Sequence, residues 1–294
     1  MDLCNEKDIR ALLARHGFRF SKSMGQNFLI EGWVPRDIAE ASGADQTTGV
    51  LEIGPGIGPL TVQLAQRAAK VAAVELDRTL YPILDETLAP YDNVEVVPGD
   101  VMKLDLAALA ADKFSGLTAI ACANLPYNIT TPVLTALIEA GCFASITVMI
   151  QREVALRICA APGTADYGAF SVFCQYHTAP ELLFEVPPEC FLPAPKVTSA
   201  VIKLVPRREP PQDLAEEGLC PATCNRILAV FKSVCSLAML HGVLPAGQSP
   251  CADVPPFKIH LQRERYLAPD EAQRLMRELE CSARPEAAAI RLLL

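Results

Sequence analysis

"VLEIGPGIGPLT", residues 50–61, starts as an apolar run, breaks into glycines at alternate positions, and resumes as apolar text. An apolar run that ends in a glycine turn and restarts at helical spacing is the opening strand–loop–helix step of an α/β fold. The glycines Gly54, Gly56 and Gly58 are spaced G-x-G-x-G, with Pro59 next. The dinucleotide fingerprint is G-x-G-x-x-G, so this loop is a different one. Glu52, beside the loop, would repel a phosphate. It suits ordered water, or the ammonium group of an amino-acid-bearing ligand. A tight glycine turn can also be purely structural, so its neighbours decide its meaning.

Outward from the loop, short apolar runs alternate with helical patterns. Strands are expected at Val50–Ile53, Val71–Glu75, Val94–Val97, Leu117–Ala123 and Ile146–Ile150, with helices at 59–69, 78–88, 105–111 and 132–140. Runs apolar on both faces and separated by helices predict a parallel sheet covered on both sides. A further helix is expected at 7–16, ending at Gly17. Phe170–Tyr176, Leu182–Val186 and Val197–Val205 read as β-rich segments. The text "PRREPPQDLAEEG" (206–218) is a Pro- and charge-rich linker, and helical periodicity follows it. This divides the chain into a main domain, 1–205, and a small helical domain, 206–294.

Two acids follow the loop at telling places. Glu75 ends the second strand, seventeen residues after Gly58, where a carboxylate can take both hydroxyls of a ribose. Asp100 follows the third strand, where it can accept from an exocyclic amine. Each could instead cap a helix. Together with Glu52 they stand at the carboxyl ends of three successive strands, where doubly wound sheets bind ligands. The glycine pattern resembles the first motif of S-adenosylmethionine-dependent methyltransferases.

The fourth strand runs into "NLPY", Asn124-Leu125-Pro126-Tyr127. Methyl transfer from a sulfonium needs a nucleophile held in line and at contact distance. The N6 amine of adenine is a poor nucleophile because its lone pair is delocalised into the ring. Two neutral acceptors facing its hydrogens, Asn124 Oδ1 and the Leu125 carbonyl, would turn that lone pair toward the methyl group. Pro126 stiffens the turn, and Tyr127 offers a face on which an extruded base can stack. An amide leaves no buried charge to compensate. An Asx-capped turn is the bland alternative.

The remaining composition sets bounds. The 294 residues are 51% hydrophobic and 20% charged, ordinary for a globular protein and unlike a disordered one. No apolar run approaches the roughly 18 residues a membrane span needs, and the first residues resemble neither a signal nor a transit peptide, so a cytoplasmic protein is expected. Of eleven cysteines, Cys122, Cys142, Cys159 and Cys174 are expected to be small buried hydrophobes. Cys220 and Cys224 form the only close pair, and nothing nearby completes a set of four ligands, so no metal is expected. The formal charge is −8, but it is uneven. Residues 37–112 carry thirteen acids against four bases, whereas 7–22 and 196–208 are basic strips. Local field, not net charge, steers a polyanion; both strips could also be ordinary solvated faces.

The ordered set "MGQNFLI" (24–30), "LEIGPGIGPLT" (51–61), "VELD" (74–77), "GDV" (99–101), "NLPYNITTP" (124–132), "MIQREVALRI" (149–158), "YGAFSV" (167–172) and "CFLPAPKVTSAV" (190–201) resembles the ribosomal-RNA adenine N6,N6-dimethyltransferases. The nearest likeness is to the small-subunit branch linked to kasugamycin sensitivity. The resemblance implies an α/β, Rossmann-like methyltransferase fold, a seven-stranded and mostly parallel sheet, followed by a small α-helical domain. It implies S-adenosyl-L-methionine as cofactor, held by Gln26, Asn27, Leu29, Glu52, Gly54, Gly56, Gly58, Glu75, Asp100, Val101 and Asn124. It implies a catalytic set of Asn124, Leu125, Pro126, Tyr127 and Phe191, with Phe191 as the second wall of the base pocket. It further implies 16S rRNA in the assembling small subunit as partner, two adjacent adenosines in the 3′-terminal hairpin as targets, and a monomeric protein. The chain departs from the family in lacking a dense basic run at 231–240, in carrying Ala169 where a basic residue is usual, and in a less basic segment before "GQNF". Phosphate contacts supply much of nucleic-acid affinity. These departures keep open a docking factor without turnover, or a large-subunit substrate as in the macrolide-resistance relatives.

Overall fold

A computed structural model of the protein describes residues 1–18 and 26–207, and beyond them only positions 228, 232, 235, 239, 254 and 255. The chain divides into two compact units, Met1–Ala252 and Asp253–Leu294; everything below belongs to the first. Apart from 206, 207 and those six positions, the expected helical domain 206–294 lies outside the described residues, as does the pair Cys220/Cys224.

The elements follow the predicted rhythm. Helix α1 (Glu6–Arg15) is capped by Asn5, whose side chain accepts from the Lys7 and Asp8 amides, a standard remedy for unpaired first-turn N–H groups. Strand β1 (Phe28–Leu29) and helix α2 (Trp33–Ser42) come next. Then follow β2 (Thr48–Ile53), α3 (Pro59–Ala65), β3 (Lys70–Glu75), α4 (Tyr81–Leu88), β4 (Val94–Pro98), α5 (Leu106–Lys113), β5 (Thr118–Asn124), α6 (Thr130–Glu139) and β6 (Ile146–Gln151). The last group is α7 (Arg152–Ile158), α8 (Ala169–His177), β7 (Thr178–Val186), β8 (Phe191–Leu192) and β9 (Ser199–Pro206).

Seven strands form one sheet in the order β4-β3-β2-β5-β6-β9-β7. The first five are parallel, and β9 runs antiparallel between β6 and β7. Alternate side chains bury opposite faces. Leu51, Ile53, Val74, Ala121, Val148 and Ile202 pack beneath α5, α6 and α7, whereas Val50, Val71, Ile120, Met149 and Val201 pack beneath α2 and α3. The order steps outward from β2 in one direction and from β5 in the other, so the crevice between them opens at the carboxyl ends of both.

Two expectations are corrected. Phe170–Tyr176 is helical within α8, although Phe170, Val172, Cys174 and Tyr176 alternate with strand period. Ser171, wholly buried, accepts from the Gly168 amide and donates to the Arg157 carbonyl. Those bonds start the helix against α7, and such tertiary anchoring overrides β propensity. Among the cysteines, Cys122 and Cys174 are buried as expected, but Cys142 and Cys159 are only half-buried.

Candidate functional site

A cavity of about 230 Å³ sits over the carboxyl ends of β2, β3 and β5. It is lined by Glu52, Gly54 and Gly56 of the glycine loop, Glu75 after β3, Asp100 and Val101 after β4, and Asn124, Leu125, Pro126 and Tyr127 after β5. Gln26, Asn27 and Leu29 reach it from the N-terminal segment, and Phe191 from β8. The last four residues meet because β1 and β8 pair antiparallel, Leu29 opposite Phe191 and Phe28 opposite Leu192. That ladder joins segments some 160 positions apart in the chain.

Gly58 does not line the cavity. It caps α3 with φ +94°, and a Cβ there would meet Leu88 Cδ2 at 3.2 Å and Thr87 Oγ1 at 3.3 Å. Its task is the left-handed turn and the close approach of α3 to α4. Gly54, at φ +68°, lines the cavity and has open space where a Cβ would project.

Three carboxylates line one cavity, each in different surroundings. Glu52 is 1% exposed, and its Oε2 has no hydrogen-bond partner among the described residues. Burial pushes its carboxyl up to about 8; the nearby Thr61 hydroxyl opposes this, and the charge of Glu75 adds to it. Glu75 is raised by burial too, against the amides of Asp77 and Gly56, which it accepts at 2.8 and 3.4 Å. Asp100 accepts from the Met102 amide at 3.0 Å and so caps the short turn that follows it, and Lys103 Nζ stands 3.5 Å from its other oxygen. Capping and cavity lining thus coexist in the same side chain. A buried acid with one unpaired oxygen, two strand-end carboxylates and an open glycine loop suit a ligand that carries cationic, hydroxyl and amine groups.

Around the amide motif, the Leu125 amide donates to the Met149 carbonyl at 3.1 Å, fixing the turn to β6. The Pro126 carbonyl is occupied by the Ile129 amide and the Thr130 hydroxyl. The Asn124 side chain makes no hydrogen bond among the described residues, so its amide remains available to a ligand. Tyr127 Oη and Ser199 Oγ are 2.7 Å apart. Gln26 lines the cavity, but its side-chain amide donates to Asp77 at 2.6 Å.

Sequence reasoning missed Phe28, Leu76, Leu80, Asn128 and Ile129, which line the same cavity. Leu76 offered a signal: it is 53% exposed, an apolar side chain at a strand end between two acids. Several cations of the basic strips have partners within the chain. Arg10 pairs with Glu6, and Arg15 and His16 with Glu86. Lys203 donates to the Ala41 carbonyl at the end of α2, and Arg207 to the carbonyls of Gln175 and Thr178. Arg19, Lys22 and Arg208 lie outside the described residues. No group of metal-ligating side chains occurs among the described residues, and no helix among them is long and apolar enough to cross a membrane.

The mostly parallel seven-stranded sheet, with β9 reversed and the cleft over its carboxyl ends, is the Rossmann-like fold of S-adenosylmethionine-dependent methyltransferases. Residues 17–218 match the family model for ribosomal RNA adenine dimethylase, and the chain belongs to that family. The ribosomal RNA small subunit methyltransferase A of Alkaliphilus metalliredigens (strain QYMF) is 49% identical over 211 residues, 71% of this chain and 74% of that one. The protein of the same description from Geobacillus thermodenitrificans (strain NG80-2) is 46% identical over 218 residues, 74% of each chain. Among solved structures, the 23S rRNA methyltransferase ErmE superposes with a TM-score of 0.53 at 28% identity, over 72% of this chain and 80% of that one. A dimethyladenosine transferase from Plasmodium falciparum shares the fold, with a TM-score of 0.56 at 23% identity over 76% and 84% of the two chains.

Proposed function

We propose that this protein transfers methyl groups from S-adenosylmethionine to N6 of two adjacent adenosines in the 3′-terminal hairpin of 16S rRNA, giving N6,N6-dimethyladenosine. It does so as a monomer in the cytoplasm, on the assembling small subunit. The observation that carries the reading is the free Asn124 amide on the same cavity as Glu52, Glu75 and Asp100. The small-subunit choice rests on relatives at 46 and 49% identity, against 28% for ErmE.

S-adenosylmethionine supplies, when bound, an electrophilic methyl group on a sulfonium. Glu75 would take the ribose hydroxyls and Asp100 the adenine amine, while Glu52 with its unpaired oxygen would face the cationic end, directly or through water. Asn27, Leu29 and Val101 would close apolar and amide contacts around it. On the substrate side, Asn124 Oδ1 and the Leu125 carbonyl would accept the two N6 hydrogens. That leaves the nitrogen lone pair as the only part of the amine able to face the methyl group. Tyr127 and Phe191 would hold the extruded base between them. Positioning of this kind is where most of the rate gain in a simple group transfer arises.

The test uses labelled S-adenosylmethionine and small subunits from a strain that lacks this modification. N6,N6-dimethyladenosine in the digested RNA, at the paired hairpin sites, supports the proposal. Cofactor binding with no dimethyladenosine would sink it and leave a docking factor or another RNA substrate.

A further inference from the structure

The Tyr127 ring belongs to a single short turn, Tyr127–Ile129, a poor foundation for a wall that must place a reacting atom. Pro126 fixes the backbone just before it, at φ −57° and ψ 132°, but leaves the two side-chain torsions of Tyr127 open. The far end of the ring is tied elsewhere. Its phenolic oxygen lies 2.7 Å from Ser199 Oγ, 72 positions along the chain. Ser199 is wholly buried and opens β9, where it stands opposite Gln151 of β6 and Val186 of β7. It is therefore paired on both sides within the sheet, and the adjacent Thr198 carbonyl accepts from the Arg152 amide at 3.0 Å. Burial raises the phenol further above neutrality, so Tyr127 stays protonated, and either hydroxyl can donate to the other.

We infer that Ser199 is a positioning residue for the target base: its hydroxyl ties the Tyr127 ring to the sheet and so sets the wall against which the extruded adenine stacks. This rests on the reading of the site as an adenine N6 methyltransferase. Asn124 is the last residue of β5, in register with Met149 of β6, while Ser199 pairs with Gln151 two residues further along β6. The amide that aims the nitrogen and the hydroxyl that sets the ring are thus fixed to the same strand. Reacting atoms must be held within about 3 to 3.5 Å, and a displacement of about 1 Å can cost a hundredfold in rate. A wall free to swing would spend much of its time outside that tolerance.

The experiment measures kcat and KM for dimethylation of undermethylated small subunits by the full chain and by Ser199→Ala, Tyr127→Phe and the double variant, with S-adenosylmethionine affinity measured alongside. Tyr127→Phe keeps the ring and loses only the bond, which guards against a folding failure at the buried serine. Each single variant should lower kcat about 3- to 10-fold, the range one hydrogen bond covers, with cofactor affinity unchanged. The double variant should be no slower than the slower single one, because both remove the same bond. Three results would overturn the inference: singles that turn over like the parent, losses that multiply in the double variant, or a matching fall in cofactor affinity. If the parent itself makes no dimethyladenosine, the reading of the site fails and the inference falls with it.

Discussion

Replacing Glu52 with glutamine should change how stability depends on pH more than it changes stability at any one pH. Glu52 is buried beside the glycine loop, and burial lifts its carboxyl from an ordinary 4.5 to about 8. The folded state therefore holds a proton that the unfolded chain releases above about pH 4.5. Below that pH both states are protonated and the protein has the full benefit. Between 4.5 and 8 the folded state binds more protons than the unfolded one, so stability falls by about 1.4 kcal/mol per pH unit. Above pH 8 the loss is complete, about 3 to 5 kcal/mol in all. Glutamine removes this slope. The unpaired amide it introduces costs something as well, but equally at every pH, and Glu75, whose carboxyl is raised in the same direction, contributes alike to both proteins. The measurement is urea unfolding of cofactor-free parent and Glu52→Gln from pH 5 to pH 9, read from the fluorescence of Trp33, the single tryptophan. The difference between the two curves should grow toward alkaline pH in favour of glutamine. On heating, the growth of that difference from pH 5 to pH 9 amounts to about 10 °C. Parallel curves would refute the reasoning, because they would mean that the carboxyl ionises in the fold as easily as in the unfolded chain.

The remaining expectations concern the site and the sheet. Asn124→Ala should lower turnover on small subunits about 100-fold or more, the scale on which losing one preorganised hydrogen-bonding group acts in an active site, while isothermal titration shows S-adenosylmethionine binding largely retained; equal loss of both would remove the role assigned to the amide. Tyr127→Ala should cost about 1 to 3 kcal/mol of base stacking, seen as a fall in kcat/KM for RNA of about 5- to 150-fold. Gly49→Ala should destabilise the fold by about 3 kcal/mol, because a Cβ there falls 2.3 Å from the ring of buried Phe114; a thermal melt within 2 °C of the parent would show that the ring yields.

The order of strands and helices was legible because each element carries its own period. The central strands β2, β3, β5 and β6 bury residues on both faces, the pattern of a covered parallel sheet. The positions of the glycine loop and of Glu52, Glu75 and Asp100 were legible for the same reason: doubly wound sheets place their ligand crevice at strand carboxyl ends, and these residues do line the cavity there. Asn124 to Tyr127 followed from the same rule. What the sequence by itself determined was therefore everything whose place depends on the strand it ends.

Contacts between distant segments were decided only by the tertiary structure. No local pattern pairs Leu29 with Phe191, because a two-residue ladder has no period to detect. The strand-like alternation of Phe170 to Tyr176 gave way to a helix once Ser171 found the Arg157 carbonyl. Lys203 and Arg207 read as a basic strip until the ends of α2 and α8 took their donors, since helix ends leave carbonyls unpaired and a nearby cation is the cheapest partner. Gly58, expected as a ligand contact, lies off the cavity and packs closely on α4, an approach that no local pattern records. The bond from Tyr127 to Ser199 belongs to the same class. Periodicity records what an element does with its own neighbours, and a hydrogen bond spanning 72 residues exists only once the sheet has closed.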